Sequence, residues 1–325
     1  MPVMSYGLPY QGSKNRIAKR LVDALPPAPV LYDVFCGGCA VTHAAMLSGK
    51  YQHFVINDRR GWLPDAFRKA IHGGYAHEDR WISREDFKRL KSTDAYAALC
   101  FSFGNNARTY MYAPPLEPYK RALHYAIFWR DFAQWRELCP ETADALAAGL
   151  APIEDRKQRR VQAGHFIVES LKAQLAAGTL TPDILQKPIY RQIRRPKAAP
   201  NSLKSLERLQ SLESLERLER LQSLPGALTA HNGDYRELCF NESGIIYCDP
   251  PYMSVYAKGK DYGCEFDAEA FYSWCEAQKL PVYISEYSMP EDRFVPVAAF
   301  TVNRKMDPKK SNICHEKIWR PRTQL

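Results

Sequence analysis

The chain has 325 residues, of which 46% are hydrophobic and 25% are charged, as in a globular protein with one large domain or a core domain plus a smaller one. No apolar run is long enough to span a bilayer, so we expect no membrane-embedded segment. The first residues lack the charged start and apolar core of a secretory signal, and we expect the protein to stay in the compartment where it is made.

The charge of the chain favours a polyanionic partner. The formal net charge is +9, and basic residues cluster at 156–160, 191–197 and 309–310. Such clusters bind phosphate backbones because each contact releases counterions. Each cluster alone is typical of a solvated surface, whereas their number and the net charge together favour nucleic acid.

The cysteines argue against both a disulfide framework and a metal. There are 9 of them, an odd number in a long chain, and Cys36 and Cys39 form the one C-x-x-C pair. Zinc would need a second pair or a Cys/His partner at ligand spacing, so we predict no metal. A redox pair is one alternative, and small residues packed in a tight turn is the preferred interpretation.

Residues 1–75 alternate strand and helix patterns. An apolar stretch at 30–35 predicts a buried strand that ends at Gly37 and Gly38. Residues 40–47 predict a helix, and residues 53–58 predict the next strand. This βαβ order is typical of a parallel sheet covered by helices.

Residues 76–200 show a different pattern, in which aromatic and basic residues dominate. Residues 119–138 and 158–176 predict helices, so we interpret the region as an inserted, mainly helical domain. The aromatic and basic stretch at 101–112 is the candidate for contacts with bases.

Residues 202–224 form a low-complexity repeat with leucine at every third position. In an α-helix a step of three residues lags a full turn by about 60°, so the leucines would spiral around the helix. The period also differs from a coiled-coil heptad. We interpret the repeat as an expanded insertion, helical at least in part, without chemistry of its own.

After Pro225 the strand patterns return. The predicted core strands are residues 228–232, 244–248 and 280–285. A helix is predicted at 267–278, and a terminal antiparallel pair at 297–302 and 313–319. The core domain is therefore predicted to combine residues 1–75 and 225–325.

The most specific motif is the apolar strand 245–248 followed by Asp249, Pro250, Pro251 and Tyr252. Proline cannot continue a sheet, so the chain turns at the carboxyl end of the strand, where open α/β sheets bind ligands. The Asp249 carboxylate and the Pro250 carbonyl can accept both hydrogens of an exocyclic amino group and direct its lone pair toward a methyl donor. Tyr252 can stack on a base flipped out of a duplex. A strand-ending turn with a solvent-facing tyrosine is the alternative.

Three further turns follow predicted strands. Residues 33–39 contain glycines, which let the backbone approach a ligand closely. Asp58 ends the next strand, where an acid typically holds ribose hydroxyls. Residues 233–235 suit an adenine ring through a hydrogen bond and stacking. Each also fits a simple turn or, for Asp58, the N-cap of a helix at 64–71.

In this order the motifs resemble those of the Dam-type family of site-specific DNA adenine-N6 methyltransferases, with the motif order of the alpha group. Residues 10–14 resemble that family's aromatic-x-Gly-Gly-Lys motif, and 33–39 its D-x-F-x-G-x-G motif. Asp58 resembles its ribose acid and 249–252 its catalytic D-P-P-Y. Residues 284–287 look like the family's later strand near the target-base pocket.

Two positions depart from the family pattern. Ser13 stands where the family usually has glycine, and Cys39 replaces the last glycine of its loop. Both residues are small, so we expect ligand binding to survive.

The resemblance implies an α/β fold, a Rossmann-like sheet that binds S-adenosyl-L-methionine, with residues 76–200 as an inserted target-recognition domain. The implied catalytic residues are Asp249, Pro250 and Tyr252. The implied cofactor-binding residues are Tyr10, Gly12, Lys14, Asp33, Phe35, Gly37, Gly38, Asp58, Asp234, Tyr235 and Asp249. Lys14 would meet the carboxylate end of the cofactor.

The reaction implied by the resemblance is direct methyl transfer to the N6 amino group of an adenine flipped out of double-stranded DNA, without a metal or a membrane. The implied location is the cytoplasm, for a prokaryotic or phage-encoded enzyme, and a restriction endonuclease partner stays open.

Other activities remain alternatives. Methyltransferases of protein glutamine typically carry Asn at the position of Asp249, and cytosine-N4 methyltransferases usually carry Ser there. An RNA adenine is a further alternative, because a flipped adenine looks much the same in either nucleic acid. A DNA-binding relative without catalysis is the last, and the intact motif with Lys14 argues against it.

Overall fold

The computed structural model describes residues 5–192, 209–251, 266–307 and 310–325. The chain divides into two compact units. Unit 1 comprises Met1–Tyr75 and Leu218–Leu325, and unit 2 comprises Ala76–Arg217. In the described part of the chain, none of the helices combines the length and the apolar character that crossing a membrane requires.

Unit 1 is organised around a mixed sheet. Its strands are β1 (Val30–Asp33), β2 (His53–Asp58), β3 (Ala227–Asn232), β4 (Gly244–Cys248), β5 (Val282–Glu286), β6 (Phe294–Asp307) and β7 (Lys310–Pro321). Among the described residues, these seven strands lie in the order β3-β2-β1-β4-β5-β7-β6. The first five run parallel, and β7 is antiparallel to both β5 and β6.

The middle of the sheet is made of short apolar strands. Every residue of β1, β4 and β5 is buried, as expected for parallel strands that helices cover on both faces. These strands contribute to a core that includes Val30, Ile246, Val282 and Trp319. The edge strand β3 is mostly exposed, which agrees with its more polar sequence. The α/β fold class predicted from the sequence is confirmed.

The strand order contains a reversal point beside β1. The chain proceeds from β1 outward to β2 and β3, and it then returns to place β4 on the other side of β1. At such a point the loops that follow the two central strands leave in opposite directions, and a crevice opens at their carboxyl ends.

The described helices are α1 (Ala18–Ala24), α2 (Ala40–Ser48), α3 (Trp62–Ile71), α4 (Arg84–Leu90), α5 (Ala95–Cys100), α6 (Glu117–Trp129), α7 (Ala133–Leu138), α8 (Pro140–Leu150), α9 (Arg156–Ala176), α10 (Gln210–Glu219) and α11 (Ala268–Glu276). Unit 1 holds α1 to α3 and α11, and α4 to α9 belong to unit 2.

Two helix predictions need correction. The helix predicted at 119–138 is two helices, because Arg130 has a φ of 56°, a left-handed conformation that ends α6. The helix predicted to begin at Pro64 begins at Trp62, and its N-cap is Gly61 instead of Asp58. The Asp58 side chain is thereby available for other bonds.

The leucine repeat has a packing role. Leu209, Leu212, Leu215, Leu218 and Leu221 are all buried, although their period of three spreads them around α10. The small residues Ser211 and Ser214 are buried between them. Within unit 2 the Ser211 hydroxyl lies 2.9 Å from the Tyr112 hydroxyl, and Ser214 accepts a 2.9 Å hydrogen bond from Asn105. Residues 209–217 of the repeat are therefore part of the core of unit 2.

Candidate active site

A cavity of about 510 Å³ opens in unit 1 at the carboxyl ends of the parallel strands. Its wall combines the N-terminal segment 10–14 with the turns that follow β1, β2, β3 and β4. All the residues predicted to bind cofactor line this cavity: Tyr10, Gly12, Lys14, Asp33, Phe35, Gly37, Gly38, Asp58, Asp234, Tyr235 and Asp249. Pro250 lines it too, and Tyr252 lies outside the described residues.

A close backbone contact holds the N-terminal segment against the turn after β1. Leu8 donates a 2.7 Å hydrogen bond to the Gly38 carbonyl, and Gly7 donates one of 2.9 Å to His43 Nδ1. Gly7 has a φ of 65°, and a Cβ there would lie 2.2 Å from the Gly38 oxygen, so no other residue fits. This contact places residues 10–14 at the wall of the cavity.

The turn after β1 is held in a left-handed conformation. Gly37 has a φ of 48° and donates a 2.9 Å hydrogen bond to Asp58 Oδ2. Cys39, the N-cap of α2, has a φ of 54°, a conformation that glycine adopts at less cost. Cys36 and Cys39 are free and buried, and burial raises the pKa of both thiols. They agree with the interpretation as small residues packed in a tight turn.

Two neighbouring residues at the end of β2 organise the base of the cavity. Asn57 donates 3.1 Å hydrogen bonds to the carbonyls of Val34 and Gly233, and so ties the turn after β1 to the turn after β3. Asp58 accepts from the backbone N–H of Gly37 and, at 2.8 Å, of Arg60. Burial raises the pKa of Asp58, and these two N–H groups oppose the rise.

Asp234 is already bound by an arginine of the same turn. Arg236 donates to both carboxylate oxygens of Asp234, with each bond 2.8 Å long. The hydrogen bonds from Arg236 lower the pKa of Asp234 to about 2. A ligand amine at this position would therefore share the carboxylate with Arg236.

The acid of the D-P-P-Y motif is paired with the N-terminal lysine. Lys14 Nζ lies 2.5 Å from Asp249 Oδ1, across 235 positions of sequence. Both side chains are largely shielded, with 11% of Lys14 and 20% of Asp249 exposed. From the sequence, Lys14 was expected to meet a ligand carboxylate. The structure adds a second role, since the ammonium also holds the Asp249 side chain in place.

Two buried polar atoms of the cavity have no hydrogen-bond partner among the described residues: Ser13 Oγ and Asp33 Oδ1. Asp33 Oδ2 accepts a 2.5 Å bond from the Thr42 hydroxyl. Burial, with the nearby charges of Asp249 and Asp58, raises the pKa of Asp33 to about 7 against the hydrogen bond from Thr42. Unpaired buried polar atoms are costly, so these positions favour a polar ligand group or water.

Another part of the wall is aromatic. The rings of Phe35 and Tyr235 are tilted against each other with centroids 5.2 Å apart. Phe266 also lines the cavity, with its ring 6.1 Å from that of Phe35. The cavity therefore has polar and aromatic parts, which suits a ligand with a charged group and a flat ring.

The sequence analysis did not predict several of the residues that line the cavity. Arg59 and Arg60 follow Asp58 directly, and Arg60 donates a hydrogen bond to the Tyr10 hydroxyl. Tyr247 precedes Asp249 by two positions, so the period of a strand places both on one face. Neighbourhood to a motif could have identified these residues. No local pattern could have identified Glu316, whose carboxylate lies 3.9 Å from Lys14 Nζ.

In unit 2 the stretch 101–112 is divided between core and surface. Its buried members are Phe101, Ser102, Tyr110, Met111 and Tyr112. The exposed members are Phe103, Gly104, Arg108 and Thr109, which belong to a turn closed by a bridge between Ser102 and Tyr110.

That turn has an unusual and well-supported backbone. Gly104, Asn105 and Ala107 have φ angles of 61°, 56° and 56°, the left-handed region that favours glycine. The Asn105 side chain donates to the Leu99 carbonyl at 2.7 Å, and Ser102 Oγ accepts from Ala107 at 2.9 Å. Strain that neighbouring groups support in this way is common at functional sites.

The comparison with known proteins agrees with this geometry. Residues 10–100 match the family model of the D12 class N6 adenine-specific DNA methyltransferase, and a search of curated proteins finds no match. The match includes the N-terminal lysine motif, the turn after β1 and Asp58. It confirms the family and the enzyme class predicted from the motifs: residues 10–100 are similar to the D12 class N6 adenine-specific DNA methyltransferases, enzymes that methylate the N6 amino group of adenine in DNA.

Proposed function

We propose that the cavity of unit 1 binds S-adenosyl-L-methionine and that Asp249 orients an adenine, flipped out of double-stranded DNA, for methyl transfer to its N6 amino group. The observation that carries the proposal is the pairing of Asp249 with Lys14 beside the turn after β1. If the motif were only a strand-ending turn, this convergence of a catalytic-type acid, a cation and a ligand cavity would have no reason.

The residues of the cavity fit the proposed cofactor. The bound cofactor would supply a methyl carbon activated by its sulfonium. Unpartnered Ser13 Oγ and Asp33 Oδ1, together with Lys14, offer a donor or acceptor for each charged group of an amino-acid end. Asp58 and the rings of Phe35 and Tyr235 suit a nucleoside, through its ribose hydroxyls and its base.

Asp249 performs the orienting step in this proposal. One of its oxygens bonds to Lys14, which fixes the plane of the carboxylate. The remaining acceptor capacity of Asp249 and the Pro250 carbonyl would take the two hydrogens of the target amine. The nitrogen lone pair is then directed at the methyl group, and transfer is direct, without a covalent enzyme intermediate. Tyr252 would stack on the flipped base.

Unit 2 contributes the DNA contacts in this proposal. The turn that holds Phe103, Arg108 and Thr109 presents an aromatic ring and a cation on a fixed backbone, and 62% of Phe103 is exposed. Aromatic rings stack on bases, and arginine binds base edges or phosphates. Of the stretch 101–112, which the sequence predicted to contact bases, we therefore propose the exposed residues of this turn as the contacts.

The proposal is tested by incubating the protein with methyl-labelled S-adenosyl-L-methionine and, separately, double-stranded DNA, single-stranded RNA or no nucleic acid. We expect label in DNA only, recovered as N6-methyladenine after digestion. Asp249→Ala should abolish transfer and leave DNA retention on a filter largely intact. Asp65→Ala is the matched control, because Asp65 is a partly exposed acid on α3 that pairs with Arg68 and does not line the cavity. Near-normal turnover by Asp249→Ala would refute the role of Asp249, and label in RNA would refute the DNA substrate.

A further inference from the structure

A second carboxylate lies beside the Lys14–Asp249 pair. Glu316 on β7 is 2% exposed, and its Oε1 lies 3.9 Å from Lys14 Nζ. The same oxygen accepts a 2.8 Å hydrogen bond from the hydroxyl of Ser285 on β5. The lysine ammonium therefore has carboxylates at two distances, Asp249 at 2.5 Å and Glu316 at 3.9 Å.

The antiparallel part of the sheet fixes the position of Glu316. Ser285 pairs with Ile318, and Glu286 with Lys317, in the ladder between β5 and β7. The Trp319 indole donates a 2.9 Å hydrogen bond to the Glu286 carbonyl and locks the same register. Ser285 and Glu316 then lie on one face of adjacent strands, where the hydroxyl reaches the carboxylate.

A buried glutamate is not the residue that would give the greatest stability at this position. Burial of a carboxylate is unfavourable unless hydrogen bonds and an opposite charge compensate for it, and an apolar side chain would fill the same space at lower cost. Ser285 supplies the hydrogen bond, and Lys14 supplies the charge. A lysine on a flexible four-carbon stem needs such a fixed counter-charge if it is to hold one position.

We infer that Glu316, held by Ser285, is a positioning residue for the methyl-transfer reaction: it anchors the Lys14 ammonium and takes up part of its charge, so that Asp249 keeps its strength as a hydrogen-bond acceptor. This inference rests on the proposed role of Asp249. Without Glu316, the Lys14 ammonium acts more strongly on Asp249 and weakens it as an acceptor for the target amine. The cofactor retains its contact with Lys14, so its binding changes little.

The first test compares Glu316→Gln with the wild-type full-length chain. We expect kcat per cofactor-binding site, counted by calorimetric titration with S-adenosyl-L-methionine, to fall by about tenfold, which corresponds to about 1.4 kcal/mol of transition-state stabilisation. The KM for the cofactor should change less than about twofold. Ser285→Ala should lower kcat in the same direction by less, and adding it to Glu316→Gln should cause no further loss.

Glu276→Gln is the matched control, because Glu276 also pairs with a cation in unit 1, Arg293, and does not line the cavity. It should leave both constants unchanged. A merely structural role for Glu316 would reduce the number of binding sites and the Tm while kcat per site stays constant. That result would overturn the inference.

A second readout does not depend on turnover. The rate at which an amine-modifying ester labels Lys14, followed by mass spectrometry, should rise at least about fivefold in Glu316→Gln, since the amine loses one neighbouring negative charge. An unchanged rate would contradict the anchoring by Glu316 even if methyl transfer is as proposed. Absence of transfer by the wild-type protein would instead refute the proposed function and leave this readout valid.

Discussion

Unit 1 places its polar residues at the ends of buried strands, whereas unit 2 buries most of the aromatic residues that make it resemble a binding surface. Asp33, Asp58 and Asp249 all follow or end parallel strands and line one cavity. Phe101 and Tyr112, from the stretch predicted to contact bases, are core residues.

The difference has a physical cause. The carboxyl ends of parallel strands meet at one edge of a sheet, so the position of a polar residue directly after a strand also predicts that it lies at that edge. An aromatic residue in a helical region has no such fixed meaning, because it stabilises a core and a nucleic-acid contact equally well. Motifs at strand ends therefore predict sites, and aromatic content alone does not.

The largest effect is expected in unit 1, at the ion pair. Lys14→Gln leaves Asp249 without its 2.5 Å partner and should lower single-turnover methyl transfer by about 10³-fold, the loss expected when a shielded ion pair is broken. Lys19→Gln is the control, because Lys19 forms an exposed pair with Asp23. Turnover near the wild-type rate in Lys14→Gln would show that the pair is incidental.

In the leucine repeat we expect a loss of stability instead of activity. Leu215 is fully buried, so Leu215→Ala should lower the free energy of unfolding by about 2–5 kcal/mol, measured by urea titration. Leu224→Ala, at a half-buried position of the same repeat, should cost less. Equal and small losses would contradict a packing role for Leu215.

Asp33 should make stability fall as pH rises. Its pKa in the fold is about 7, above the ordinary 3.8, so the fold prefers the protonated carboxyl and loses stability between those two values as the group ionises. Asp33→Asn removes this cost. Between pH 4 and pH 8 the stability of the variant should rise by about 4 kcal/mol relative to the wild type, which thermal unfolding at each pH would measure. A constant difference across that range would contradict the pKa.

The smallest effect is expected at the exposed turn of unit 2. Phe103→Ala should weaken DNA binding by about tenfold, the value of one stacked base, and leave cofactor affinity and Tm unchanged. The paired variant Phe101→Ala, at a buried position of the same stretch, should lower Tm. If Phe103→Ala bound DNA normally, the turn would not be a contact surface.

The sequence by itself determined the α/β order, the core strands and the cofactor-type motifs, because apolar runs and the turns that end them are local patterns. All the residues predicted from it to bind cofactor, from Tyr10 to Asp249, line the cavity. Helix ends were less well determined, since the left-handed Arg130 that divides α6 from α7 has no signature of its own.

Only the tertiary structure decided which residues meet over long distances. It paired Lys14 with Asp249 and brought Glu316 to the same ammonium through the register of β5 and β7. It also buried the leucines of α10 and left Phe103 exposed. These outcomes depend on sheet register and on packing between distant segments, which no local pattern of residues encodes.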